Sequence, residues 1–250
     1  MDFPRFIHIS QNPSVPVALD AKVVAEEIEK IFPSCRIDVR PPFTYGEKTI
    51  EQAKIVDTKQ PFEKQQNQEQ DILLTIPLYD GFVMQRMFAE MIPNAETSLA
   101  HIHIIFTPLF PCTFSEDDWR YHGRAVICGT PSIISTTGIV EALAKPQEFY
   151  LAQIRGITED IVNLKKKFAG RFIDYDDEDK ITAASINYAL QSIFFFITSG
   201  EPFCNNKDCR LFNSHWQEEL MHTIEKRTLC SHHRNLANKL SIGQPTAGRF

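Results

Sequence analysis

Apolar and polar positions along the chain switch between two rhythms. Phe6–Ile9 reads as a short first strand, and Cys35–Val39 as a second. Between them Asp20 can cap a helix over Ala21–Ile31, with Val23, Val24, Ile28 and Ile31 on one stripe. Residues 59–71 are polar and rich in Gln, which predicts a surface loop or insertion. Asp80–Ile92 has helical spacing, with Val83, Met87 and Met91 as its apolar face. Ala100–Phe106 alternates, with His101 and His103 on one face and Ile102 and Ile104 on the other. Arg124–Cys128 and Ser132–Ser135 predict two more short strands around Gly129-Thr130-Pro131.

The second half is helical in pattern. Pro146 suits the first turn of a long helix with the stripe Leu151, Ile154, Ile157, Ile161, Leu164 and Phe168. The acidic run Asp174–Asp179 suits a turn at the start of the next helix, Lys180–Thr198. It lacks the glycine and terminal Glu of a calcium loop. The end of that helix, Ile193–Ile197, is apolar all round and so predicts burial, and Gly200 stops it. Ser214–Gln217 reads as a capping box for a helix to about Lys226, with Gln217, Glu218 and Glu219 in a solvated first turn. Ser241–Phe250 has no periodicity and reads as a tail. Strand–helix–strand at the start and helices later give an α/β (α+β) class, a mixed sheet covered by helices. No internal repeat or boundary divides the chain, so 1–240 is expected to be one domain, followed by the tail 241–250.

Composition narrows the function. The 250 residues carry 26 basic and 32 acidic side chains, a formal net charge of −6, which argues against a general nucleic-acid or anionic-membrane binder. No apolar run is long enough to span a bilayer. Met1–Arg5 does not open a secretory leader, so the expected compartment is the cytoplasm, where thiols stay reduced.

Cys35, Cys112 and Cys128 are scattered among apolar residues and read as small buried hydrophobes. Cys204, Cys209 and Cys230 are different. They are followed at once by Ser231-His232-His233, and two close pairs of soft ligands joined by a spacer are what a tetrahedral zinc site needs. Asn205, Asn206 and Asp208 suit the tight turn of such a knuckle, expected over 200–235. Cys204, Cys209, Cys230 and His233 are therefore the candidate metal ligands, a Cys3His set. His232 is the runner-up for the fourth place, and His215 a weaker one. A Cys204–Cys209 disulfide and unrelated thiols are the competing readings. Four protein ligands would make the zinc structural, with no open position for water. Trp216 is expected to pack on the knuckle.

The C-terminal quarter resembles the archaemetzincins, metzincin-type zinc proteins with the pattern His-Glu-x-x-His-x-x-Gly-x-x-His-Cys, four residues, Cys-x-Met and a later Cys-x-x-Cys. Cys204 aligns with the first cysteine, Cys209 with the second, and Leu211 with the methionine. Cys230 comes one residue late and His233 replaces the last cysteine. Gly200 falls on the glycine. The same register puts Ile193, Phe194 and Ile197 on the His, Glu and His of the catalytic helix, and Phe203 on the third histidine. The segments Gly200–Cys204, Cys209–Glu219 and Tyr121–Ile127 also resemble a group of metallopeptidase relatives with a degenerate version of that motif. The resemblance implies a metzincin-like fold and a structural zinc. It also implies a hydrolytic centre filled with side chains that have no lone pair for zinc and cannot take a proton from water. The expected product is a non-proteolytic pseudoenzyme whose groove persists for a peptide or protein partner.

A rival reading places the chemistry elsewhere. His101 and His103 point the same way from a strand and, with His122, could form a three-nitrogen metal site with Asp118 or Glu141 as general base. That would be a metal-dependent hydrolase with a relocated centre. Arg120 and Arg124 beside it suit ion pairs or a peptide carboxylate. The simpler reading of the two histidines is the polar face of a half-exposed strand. No nucleophile-elbow, phosphate-loop or dinucleotide signature is present.

Overall fold

The computed structural model describes residues 4–15, 19–64, 76–155 and 170–241. The residues Ile157, Ile161, Leu164 and Phe168 of the long apolar stripe, residues 65–71 of the Gln-rich stretch and the tail 242–250 lie outside these.

Among the described residues eight strands form two sheets. The larger contains β1 (Phe6–Gln11), β2 (Arg36–Val39), β4 (His101–Thr107), β7 (Val126–Ile127) and β8 (Ser132–Ser135) in the order β2-β1-β4-β8-β7. Its pairs are parallel except β7 with β8, so β7 is an antiparallel edge. The smaller sheet joins β3 (Leu78–Asp80), β5 (Phe110–Ser115) and β6 (Arg120–Gly123), with β5 central. The three strands of the smaller sheet are the ones that alternation in the sequence does not signal.

The large sheet is packed on both faces. Ile7, Ile9, Ile102, Ile104, Phe106 and Ile134 face one core. That core is completed by α1 (Ala21–Ile31), α6 (Glu178–Ile197), α7 (Gln217–Lys226) and α8 (Ser231–Ser241). On the other face Ile105 and Ile133 meet α2 (Glu47–Ile50) and α3 (Gly81–Ala89) through Ile50, Met84 and Phe88. Two short helices, α4 (Thr136–Glu141) and α5 (Gln147–Arg155), follow β8. No helix among the described residues is long and apolar enough to cross a membrane.

Several faces differ from the sequence expectation. In α1 the buried residues are Ala21, Val24 and Ile28, while Val23 is exposed. In α3 they are Gly81, Met84 and Phe88, one position off the expected Val83, Met87 and Met91. Asp80 caps α3 by accepting from Phe82 and Val83 N–H, and Val83 and Met87 pack half-buried beside Met84 and Phe88. Leu151 in α5 is exposed. The cap of α7 is Trp216, not Ser214, and Glu219 Oε2 accepts from the N–H groups of His215 and Trp216. Gln217 is fully buried, not solvated. It accepts from Ile173 N–H at 3.1 Å and donates to the carbonyls of Ile139 and Val140 at 2.7 and 3.0 Å. Trp216 is 50 % exposed and its backbone bridges to Ala144, away from the knuckle.

Gly138 and Gly200 are required for different reasons, one for space and one for backbone conformation. A Cβ on Gly138 would collide with the Arg124 carbonyl, where α4 crosses the chain leading into β7. Gly200 has a φ of +112° and donates to the Phe195 carbonyl, closing the end of α6 in a left-handed turn.

Candidate functional site

The turn at the end of α6 delivers Cys204 directly into the knuckle. Cys204 N–H donates to Leu211 O, and Asn206 Oδ1 accepts from Asp208 N–H to tighten the turn before Cys209. Thr228, two residues before Cys230, pairs with Cys209 through the backbone. His233 is in the first turn of α8. These local elements bring four donor atoms within 4.8 Å of one another: Cys204, Cys209 and Cys230 Sγ, and a nitrogen of His233. Cys204 and Cys230 Sγ are 3.9 Å apart, and His233 Nδ1 lies 3.7 Å from Cys209 Sγ and 3.1 Å from Cys230 Sγ.

The donor set fits zinc. A tetrahedron with sulfur at about 2.3 Å and imidazole nitrogen at about 2.0–2.1 Å has edges of about 3.6–3.8 Å. A disulfide needs about 2.05 Å between sulfurs, and the three cysteines are free. Burial pushes the Cys209 thiol up to about 12. A proton must therefore leave when a metal takes its place. Burial lowers His233, which keeps its ring neutral and able to coordinate. His232, adjacent in sequence, is exposed and outside the set. His215 is exposed as well.

Immediately beside this cluster lies the last part of α6. Ile193 and Phe194 are fully buried and Ile197 nearly so. The Phe194 ring meets His233 edge-on at 5.2 Å and Phe32 at 5.8 Å. These residues belong to the main core, whereas Phe203 is 46 % exposed. Phe203 lines a cleft of about 130 Å³ with Arg124, Val126, Tyr188, Gln191, Ser214 and other residues, beside the free edge of β7. Gln191 Oε1 and Ser214 Oγ are buried without a hydrogen-bond partner. A larger hollow of about 600 Å³ lies between α1 and the start of α6, and none of the metal-competent groups lines it.

His101 and His103 occupy β4, but His122 does not join them. It sits on β6 in the other sheet, where its Nε2 is 2.9 Å from Asp118, and Asp118 also accepts from Arg120. Those two partners hold the exposed Asp118 carboxyl down at about 2. Arg124 donates to Thr113, and Glu141 pairs with Lys145. The partners of the β4 histidines are instead His8 on β1 and Glu96 from the turn before β4. His8, Glu96 and His103 form a second group with donor atoms within 4.8 Å of one another. His8 and Glu96 escaped the sequence reading. The one available signal was His8 as a lone polar residue inside an apolar strand, and nothing local ties it to a residue 88 positions later.

The fold is thus a mixed α/β one, its large sheet packed on both faces, with a Cys3His cluster immediately after the long helix α6. The chain belongs to the probable metallopeptidase family (DUF6775), whose model matches residues 4–240. Among solved structures it is similar to a zinc-dependent peptidase from Methanocorpusculum labreanum, at 14 % identity and a TM-score of 0.50, covering 93 % of this chain and 100 % of that one. This likeness shows a common fold. An archaemetzincin from Methanopyrus kandleri also matches, at 8 % identity and a TM-score of 0.49, over 96 % of each chain. No curated protein sequence matches the chain.

Proposed function

We propose that this chain is a zinc-binding, non-proteolytic member of its family. In this reading Cys204, Cys209, Cys230 and His233 hold a structural zinc, and the cleft beside β7 receives a peptide or protein partner. The observation that carries the proposal is the end of α6. The three positions that would bear the ligands and base of a hydrolytic zinc are Ile193, Phe194 and Ile197, all inside the core. None can bind metal or accept a proton, and no water can reach Phe194. The zinc in the knuckle, when bound, supplies cross-linking of the chain rather than Lewis acidity, because its four protein ligands close the sphere. The thiolates and imidazole join the loop after α6 to the start of α8. Phe194 packs on the back of His233 and fixes its ring. Gln191 and Ser214 line the cleft, and an extended chain laid along the β7 edge is the partner it suits. The cytoplasm suits the reduced thiols that this zinc site requires.

The test combines metal analysis with a fluorogenic peptide library on the full chain. The expected result is zinc that is lost with Cys209→Ser, and no cleavage of any peptide with zinc bound. Cleavage that chelation abolishes would overturn the proposal.

A further inference from the structure

We infer that the chain has a second metal site, for a borderline divalent ion of the zinc type, formed by His8 Nε2, His103 Nε2 and Glu96 Oε2.

Parallel pairing builds the site. β1 and β4 are neighbours with His8 directly opposite His103 and Phe6 opposite His101. Opposed side chains in register share a face of the sheet. The turn before β4 then lays Glu96 over the two rings. His8 Nε2 and His103 Nε2 lie 3.9 and 3.7 Å from Glu96 Oε2, and the two rings are 4.6 Å apart. His8 and His103 are buried and Glu96 is half-buried. A tetrahedral ion about 2.0–2.1 Å from each ligand needs edges of about 3.3 Å, so the three atoms close in by roughly half an ångström.

The surrounding ion pairs, Arg40 with Asp38 and with Glu96, orient two of the three ligands. His8 Nδ1 is 2.6 Å from Asp38 Oδ1 and also 2.8 Å from Arg40. The carboxylate is the only acceptor of these partners. When it accepts from Nδ1–H the Nε2 lone pair is left free toward Glu96, whereas Arg40 can donate to Nδ1 only in the opposite tautomer. Carboxylate–histidine pairs of this kind orient metal-binding imidazoles. Arg40 donates to Glu96 Oε1 at 2.8 Å, which leaves Oε2 turned toward the rings. Each of these two ligands is thus held from behind by a partner on β2 or just beyond it.

Two bonds give way when the ion enters. His101 Nδ1, 2.8 Å from His8 Nε2, stops donating to it. His103 Nε2 stops donating to the Glu96 carbonyl at 3.2 Å, and the ring proton moves to Nδ1. Two imidazoles and one carboxylate match zinc and its neighbours better than calcium or magnesium, which prefer all-oxygen shells. The ion would tie the Asn94–Glu96 turn to the centre of the large sheet, and it stands apart from the cleft beside β7.

Full-length metal-free protein titrated with Zn2+ and with Co2+ tests this. The wild type is expected to take up about two equivalents. Only one of them should carry the thiolate-to-cobalt charge-transfer band of the Cys3His set. Glu96→Gln and, independently, His103→Gln should each reduce uptake to about one equivalent with the thiolate band intact, and that band reports folding in the same sample. Uptake of a single equivalent by the wild type, or of two by either variant, overturns the inference. A failure here leaves the thiolate band untouched, so it is distinguishable from failure of the knuckle.

Discussion

The two donor clusters differ most in how far apart their residues lie in the chain. Cys204, Cys209, Cys230 and His233 come from 30 consecutive residues. Turn chemistry and one short backbone pairing bring them together. His8, Glu96 and His103 come from two strands and a turn, and only parallel pairing with a fixed register puts them face to face. The first cluster is rich in thiols and leans on the core through Phe194. The second is imidazole and carboxylate, held by Asp38 and Arg40 at the margin of the sheet. A local cluster can itself drive folding of its segment. A non-local one can form only after the sheet has formed.

That difference predicts unequal consequences of disruption. Structural zinc in small knuckles contributes on the order of 10 kcal/mol. Cys209→Ser, or a strong chelator, is therefore expected to remove the cooperative thermal transition of the C-terminal helices. Circular dichroism melts check this, and an unchanged melt would equate the two clusters. Next in size is Phe194, packed between His233 and Phe32. Phe194→Ala should cost about 3–5 kcal/mol in urea unfolding. Phe194→Glu, which reinstates the general base of the archaemetzincin pattern, should cost a comparable amount by burying an unpaired charge and should create no peptidase activity. A folded, active Phe194→Glu protein would mean that the catalytic position was never sealed. Smaller still, Asp38→Asn should weaken the second metal by about 10–100-fold and leave the thiolate site alone, as read by competition titration.

The smallest effect concerns His122, which lies outside both clusters. Its bond to Asp118, followed by that of Arg120, lowers the Asp118 pKa to about 2 from an ordinary 3.8. The folded value is depressed. The contribution to stability is therefore complete above about pH 3.8 and is lost as the pH falls through about 2. His122→Ala should soften that acid limb slightly in a pH series of melts and change neither metal equivalent.

The sites were legible to different degrees for the same reason. The Cys3His set stands out from spacing, because short-range ligand pairs leave their mark in adjacent residues. The apolar run at the end of α6 likewise declares its own burial, since an all-round apolar helix must be covered. Helix faces were less legible. The core face of α3 centres on Met84 and Phe88, with Val83 and Met87 at its margin, a choice among neighbouring apolar residues that spacing alone does not specify. Gln217 looked like a surface residue, and three backbone groups from two separate segments make it a buried one.

By itself the sequence determined a mixed α/β chain with a cluster of late cysteines and a long helix whose end is apolar all round. These follow from local spacing and from the cost of exposing apolar surface. Only the tertiary structure decided that His8 and Glu96 partner His103 while His122 belongs to another sheet. Strand order and register are set by the packing of both faces at once, and no short stretch of sequence records them.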